Sequence, residues 1–279
     1  MSTMGGITVK NTSNLFTPDT RFCMLVYAYP KRGKTTFAST MDAFTKKHFG
    51  KPTLIIAVEA GDGGGTMSIQ DTGVDYVTPA NMEELNKIIA ALSNDTKYGG
   101  VVLDSATEYV NRFLKPYALK FPYTKGAAPA TRMEGVPEQG DYQTMGERAR
   151  MDFNKLINLT SHPDKNVRKH LLVTALEKEK TNRDGLLVSV GPDLPGAMSQ
   201  AATAMFQCVA AISLKTSVEP DPADPKKTKR VTRRYLETEV TEESKKIVGD
   251  RTKRIPNGSP LDFSEIYETS WIPTFKDVS

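Results

Sequence analysis

The sequence predicts an α/β fold with a mostly parallel central sheet and antiparallel strands toward the C-terminus. Three observations predict it. Runs such as Thr53–Glu59 (TLIIAVE) and Val101–Asp104 (VVLD) are apolar almost throughout, as strands buried on both faces are. Segments of helical spacing alternate with these runs, which is the βαβα order of a parallel sheet. Toward the C-terminus two strand-like runs, Val209–Leu214 and Val231–Glu237, face each other across a Pro/Asp/Lys segment and suggest a hairpin.

The elements follow in order. Residues 1–20 are polar and rich in Thr, Asn and Ser, a flexible lead-in. Arg21–Tyr27 is a strand, and Lys34–Phe49 a helix stopped by Gly50-Lys51-Pro52. After the strand 53–59 comes a glycine turn (61–65), a weak strand at 74–77, a helix at 82–92, the strand 101–104 and a helix to about Leu119. Prolines and glycines make 120–145 irregular, and a helix from about Tyr142 to Leu159 precedes the strand Leu171–Ala175. Leu186–Val190 pairs with that strand or extends the sheet; Ala197–Phe206 is a helix of small residues, and 215–229 a loop. The main domain is expected over 21–268, with a tail at 269–279.

With 279 residues, 38% of them hydrophobic and 25% charged, the chain can bury a large core. Its apolar runs fall short of the roughly 20 residues that cross a bilayer, and its N-terminus lacks a signal-peptide layout, so a cytoplasmic protein with no membrane partner is expected. Cys23 and Cys208 lie in apolar runs without metal-ligand spacing and read as buried thiols. The net charge of +4 permits nucleic-acid binding without demanding it.

The chemistry concentrates after the first strand, in Ala28-Tyr29-Pro30-Lys31-Arg32-Gly33-Lys34-Thr35-Thr36. The spacing is that of a phosphate loop between strand and helix. Backbone N–H groups at the helix start face an anion, Lys34 reaches the outer phosphates, and the Thr35 hydroxyl binds Mg²⁺. ATP with Mg²⁺ is the expected ligand, contacted by Ala28, Pro30, Lys31, Arg32, Gly33, Lys34, Thr35 and Thr36. Position 28 departs from the pattern: a glycine usually stands there, and alanine tolerates positive φ poorly, so the loop should leave the strand differently.

Two acids end neighbouring strands. Asp104 stands where ligands collect in open α/β sheets and would hold Mg²⁺ beside Thr35; its other reading is a helix N-cap. Glu59 suits a carboxylate that polarises the attacking water, its side chain left free by the glycine turn; otherwise it is a capping or solvated acid.

Strand–GKTT–helix–strand ending in Glu59, followed by VVLDS at 101–105, resembles RecA-type recombinases. The order of Val136-Pro137-Glu138-Gln139-Gly140-Asp141-Tyr142, HLLVTALEKEK (170–180), Gly191-Pro192-Asp193-Leu194-Pro195-Gly196 and Gly249-Asp250-Arg251 is similar to phage P-loop ATPases of the minimal RecA-like kind, the Sak-type single-strand annealing proteins among them. The resemblance spans about residues 20–268. It implies a RecA-like P-loop core, ATP hydrolysis, and single-stranded DNA as a partner in phage recombination, annealing or replication in the host cytoplasm. It also implies self-association as ring or filament and a single-strand binding protein as a further partner. By the same resemblance Thr174 and Glu177 are sensor residues, and Arg251 reaches a neighbouring subunit's nucleotide. Related rings often carry a lysine two residues before that arginine; Gly249 here implies slower hydrolysis.

Two segments are candidates for DNA. Glu177–Gly185 offers Lys178, Lys180 and Arg183 close to the sensor. In 226–234, six of nine residues are basic: Lys226, Lys227, Lys229, Arg230, Arg233 and Arg234. Such a run neutralises phosphates and makes binding salt-dependent, with Tyr235, Phe121 and Tyr123 as stacking surfaces; the plainer reading is a solvated hairpin tip. Two other functions fit the same loop: a nucleotide-gated oligomer without DNA, and a small-molecule kinase with 120–145 as its lid, although that stretch holds Arg132 as its one arginine.

Overall fold

The computed structural model describes residues 2–4, 7–9, 19–59, 64–120, 124–125, 128–129, 135–195, 197–221, 224–241 and 244–270. Two short strands, β1 (Ser2–Met4) and β2 (Ile7–Val9), pair within the expected lead-in. The core begins with β3 (Cys23–Ala28), α1 (Lys34–Phe49), β4 (Thr53–Ala57), a 3-10 segment at Gly64–Thr72, β5 (Asp75–Val77), α2 (Met82–Leu92) and β6 (Gly100–Asp104). There follow α3 (Ala106–Tyr109), a π-turn at Val110–Leu114, α4 (Lys115–Leu119), β7 (Thr124–Lys125), β8 (Ala128–Pro129) and α5 (Gln139–Asn158). The chain continues through β9 (His170–Thr181), β10 (Leu187–Pro192), α6 (Met198–Met205), β11 (Cys208–Asp221), β12 (Asp224–Glu237), β13 (Gly249–Asp250) and α7 (Phe263–Ser270).

The main sheet runs β12-β11-β3-β9-β6-β4-β5, with β10 on β9 and β13 on β11. All neighbours from β11 to β5 are parallel. The additions β12, β10 and β13 are antiparallel. This is the α/β architecture expected from the sequence, a mostly parallel central sheet with antiparallel additions. Its order inserts β9 between the phosphate-loop strand β3 and the Asp104 strand β6.

Helices cover both faces because each carries one apolar stripe. On one face α1 buries Phe37, Met41 and Phe44, and Phe263 of α7 closes over them with its ring 5.3 Å from Phe44. Phe37 and Phe44 are fully buried, each stabilising by about 1.5–3 kcal/mol. On the other face Leu85 of α2, Tyr109 of α3, Phe153 of α5 and Met198 of α6 share a core. There the buried Asp152 carboxylate accepts from Tyr109 Oη at 2.8 Å and Arg148 Nε at 2.8 Å, which ties α5 to α3. Cys23 and Cys208 are free and buried, and burial pushes the Cys23 thiol up to about 12. Among the described residues no helix is long and apolar enough to cross a membrane.

Three boundaries differ from the sequence expectation. The stretch 215–229 is mostly strand: β11 and β12 stay paired from Ala211↔Glu237 to Asp221↔Asp224. Because β3 accompanies β11 over Cys208–Ala211 alone, the rest of the hairpin stands out as a two-stranded arm. β10 pairs with the outer half of β9, Glu177–Thr181, and not with 171–175, whose edges are taken by β3 throughout and by β6 as far as Val173. Helix α5 starts at Gln139, where Glu138 and Asp141 form a reciprocal capping box.

His170 is fully buried at the start of β9, and its Nδ1 accepts the Phe22 N–H at 3.0 Å. Burial, then the charges of Arg21 and His48, hold its pKa well below the usual histidine value of 6.5. The unfolded chain therefore takes up a proton that the folded chain refuses. Stability should be flat above about pH 6.5 and fall by roughly 1.4 kcal/mol per unit below it, down to the depressed folded pKa. Urea unfolding at several pH values checks this; a His170→Phe variant should lose that slope.

Candidate nucleotide site

The parallel strands deliver the candidate residues to one end of the sheet. β3 ends at Ala28, and α1 starts at Lys34 with Gly33 as its N-cap. No side chain caps α1 and no acid stands in its first turn, so its first N–H groups remain for an anion. The left-handed residues of the loop are Lys31 (φ 61°) and Gly33 (φ 93°). Ala28 is a regular strand residue paired with Leu176. Alanine at 28 therefore carries no positive-φ strain, and the expected distortion at that point does not arise.

Lys34 lies along the inside of the loop, its Nζ donating to the Ala28 carbonyl at 3.1 Å and the Tyr29 carbonyl at 3.0 Å. Burial lowers its pKa, opposed by the charges of Asp104, Glu59 and Glu177. Thr35 Oγ1 donates to Asp104 Oδ2 at 2.8 Å. Asp104 is 2% exposed, and its other oxygen accepts from the Thr174 hydroxyl. Thr174 on β9 thus touches the acid of β6 directly, because β9 is β6's neighbour. Ser105, not Asp104, caps the next helix: its Oγ accepts the Glu108 N–H at 3.3 Å. A hydroxyl and a carboxylate held together are the oxygen donors a hard cation takes, so Thr35 and Asp104 fit Mg²⁺.

Glu59 follows two residues after β4 and points at the same place. Its carboxylate is not free, as the sequence had suggested: it accepts the Gly65 N–H. A methyl group on Gly65 would lie 2.7 Å from Glu59 Oε2 and 3.1 Å from Thr35 Oγ1, so a side chain there would push the carboxylate from its present place. Burial raises the Glu59 pKa, Asp104 raises it further, and the Gly65 N–H and Lys34 oppose this. Arg112, in the π-turn, donates to the Val58 carbonyl and, at 2.6 Å, to the Glu59 carbonyl. Gly65 and Arg112 are positioning residues that sequence reasoning missed. Gly65 was read as part of a loose turn, and Arg112 sits in no motif.

Two adjoining cavities flank the loop. One of about 600 Å³ is lined by Lys34, Thr35, Glu59 and Gly65. The other, of about 920 Å³, lies between Pro30, Thr36 and Phe37 on one side and Leu214, Arg234 and Leu261 on the other. The first has the charges for a phosphate chain; the second has the apolar walls for a nucleoside. Lys31 and Gly33 border both, and Arg32 borders the second.

The remaining candidates spread out. Glu177 stands on β9 beyond Thr174, its pKa raised by burial and then by Glu179 and Glu237 against Lys246 and Arg32. The segment Glu177–Gly185 is a hairpin rather than a loop: Lys178 and Lys180 are strand residues, Lys178 pairs with Asp193 at 3.0 Å, and Arg183 is exposed at the turn. Lys227, Lys229, Arg230, Arg233 and Arg234 are exposed along β12; the Lys226 side chain, Phe121 and Tyr123 fall outside the described residues. Arg251 follows β13, which pairs with the first residues of β11, so it lies at the opposite end of the sheet from the loop. Its Nη2 donates to the Ala204 carbonyl at 2.7 Å.

The family model of the AAA domain matches residues 20–246. No curated protein matches the chain. Among solved structures, a KaiC-like protein from the hyperthermophilic archaeon Pyrococcus horikoshii OT3 is 13% identical over 78% of this chain and 84% of that one, with a TM-score of 0.39.

Proposed function

From the premise that the chain belongs to the AAA-domain family, we propose that it hydrolyses ATP with Mg²⁺ in this pocket and acts on single-stranded DNA through its arm, as a recombination or annealing factor. The convergence of Lys34, the Thr35–Asp104 pair and Glu59 on one cavity carries the hydrolytic half. The loop N–H groups and Lys34 bind the phosphates, Lys34 exchanging its two loop carbonyls for phosphate oxygens. Thr35 and Asp104 would hold Mg²⁺, whose charge offsets that building up on the transferring phosphoryl group. Glu59 takes the proton of the attacking water, and the Gly65 N–H fixes the carboxylate that does so. Thr174, bonded to Asp104, relates the state of this site to β9.

The arm supports the DNA half. Its exposed cations stand on a hairpin that leaves the sheet at the same end as the phosphate loop. Arg251, at the other end, can serve a nucleotide only in a second copy, so assembly into a ring or filament belongs to the same proposal.

The test is DNA affinity against salt for the wild type and for a Lys227→Glu, Lys229→Glu, Arg230→Glu triple variant. Each lost phosphate contact should lower the log–log slope by about 0.7 on single strands. ATP turnover should rise on adding single-stranded DNA in the wild type. Turnover indifferent to DNA, with no salt-dependent binding, would leave a nucleotide-gated assembly that does not use DNA.

A further inference from the structure

One arginine of the basic run differs from the others. Side chains alternate along β12, so Lys229 and Arg233 share one face while Arg230, Thr232 and Arg234 share the other, opposite Val218, Thr216 and Leu214. Arg233 is engaged within the arm, forked onto the Glu219 carboxylate. Arg234 instead lies over the phosphate loop. A methyl group on Gly33 would stand 3.4 Å from Arg234 Nη1 and 3.6 Å from its Cδ. Arg234 also lines both cavities, at the place where they join. Among the described residues it makes no ion pair.

We propose that Arg234 is a nucleotide ligand in the same chain, its guanidinium binding the phosphates nearest the nucleoside, so that the arm is part of the nucleotide site. This rests on the nucleotide reading above. A guanidinium offers a planar fork of donors that suits phosphate oxygens, and the junction of the two cavities is where the phosphate chain turns toward the nucleoside. The root of the arm is fixed: Leu236 is fully buried, and Glu237 accepts from Ser213 Oγ at 2.6 Å and Lys246 Nζ at 2.9 Å. Arg234 stands two residues from Leu236, so its backbone is placed before a nucleotide arrives. Beyond it no third strand braces the arm among the described residues. Phosphate binding through Arg234 then restrains the arm, and anything that restrains the arm in that position tightens nucleotide binding by the same factor.

Titration of the full chain with MgADP and MgATP, for wild type, Arg234→Ala and Arg234→Lys, tests this. Arg234→Ala should weaken both nucleotides alike, by about 10- to 100-fold, the range for losing charge-assisted hydrogen bonds. Arg234→Lys should recover part of the loss. In the wild type, MgADP should slow tryptic cleavage after Lys229 and Arg230; in Arg234→Ala, at nucleotide concentrations that saturate it, it should not. Arg234 is exposed, so the variants should unfold at the wild-type temperature. Wild-type affinity for MgADP in Arg234→Ala would overturn this inference alone. A wild-type chain that binds neither nucleotide would overturn the reading of the pocket itself.

Discussion

Lys34→Ala should lower affinity for MgATP by about 100-fold or more. The ammonium is the cation on the inner side of the loop, and two hydrogen bonds from it to phosphate oxygens are worth roughly 3 kcal/mol after exchange with its present partners. Those partners, the Ala28 and Tyr29 carbonyls, hold Lys34 within reach of the cavity without neutralising it. The same geometry limits the damage to folding. Removing the side chain leaves two carbonyls short of one donor each beside the cavity lined by Thr35 and Glu59, where water entering the vacated space can replace it, so the variant should remain folded. Calorimetric titration of a folded Lys34→Ala chain is the measurement; unchanged affinity would remove the phosphate-loop reading altogether.

Glu59→Gln should leave MgATP binding near its wild-type value and slow hydrolysis by about 10²- to 10⁴-fold, the usual range for a positioned general base. The amide keeps an oxygen to accept the Gly65 N–H, so the local fold survives while the proton acceptor is lost. The pH profile gives a second readout. The base acts deprotonated, and burial with Asp104 nearby raises the Glu59 pKa above the ordinary glutamate value of 4.5. The wild-type rate should therefore climb with pH through an acid limb lying above that value, and the limb should vanish in Glu59→Gln. Asp104→Asn should act differently, weakening the dependence of binding on Mg²⁺. Normal turnover by Glu59→Gln would return Glu59 to the rank of a capping acid and give the water to another group.

These residues were legible because their chemistry depends on local spacing. GKTT after an apolar run, and an acid closing a buried strand, read directly from the chain, and the elements between them fell near their expected places. The hairpin was legible, but the length of its arm was not. Pro220 and the Asp and Lys residues around it read as a loop, yet a hairpin whose strands have one partner each tolerates a missing N–H and solvates its charges. Without the strand register, the alternation that puts Arg234 over Gly33 was hidden, and the arginine was counted with the DNA-facing cations. Glu59's partners were invisible for another reason. Gly65 and Arg112 reach it across 6 and 53 positions of sequence, and neither distance is marked by any local pattern.

β9 has a mechanical consequence. Over 171–173 it is clamped between β6 and β3, β3 alone accompanies it on to Leu176, and beyond Leu176 it runs on with β10 alone. The strand is a cantilever, and just past its doubly held part stands Thr174, bonded to the acid of the nucleotide pocket. From Thr174 to Lys180 the backbone extends about 20 Å, so a tilt of about 3° at the clamp displaces the free end by about 1 Å. A shift at Asp104 too small to alter its own hydrogen bonds would be magnified in this way into a change of position at Lys178, Lys180 and Arg183, with the stiffness of the β9–β10 ladder deciding how much of it arrived.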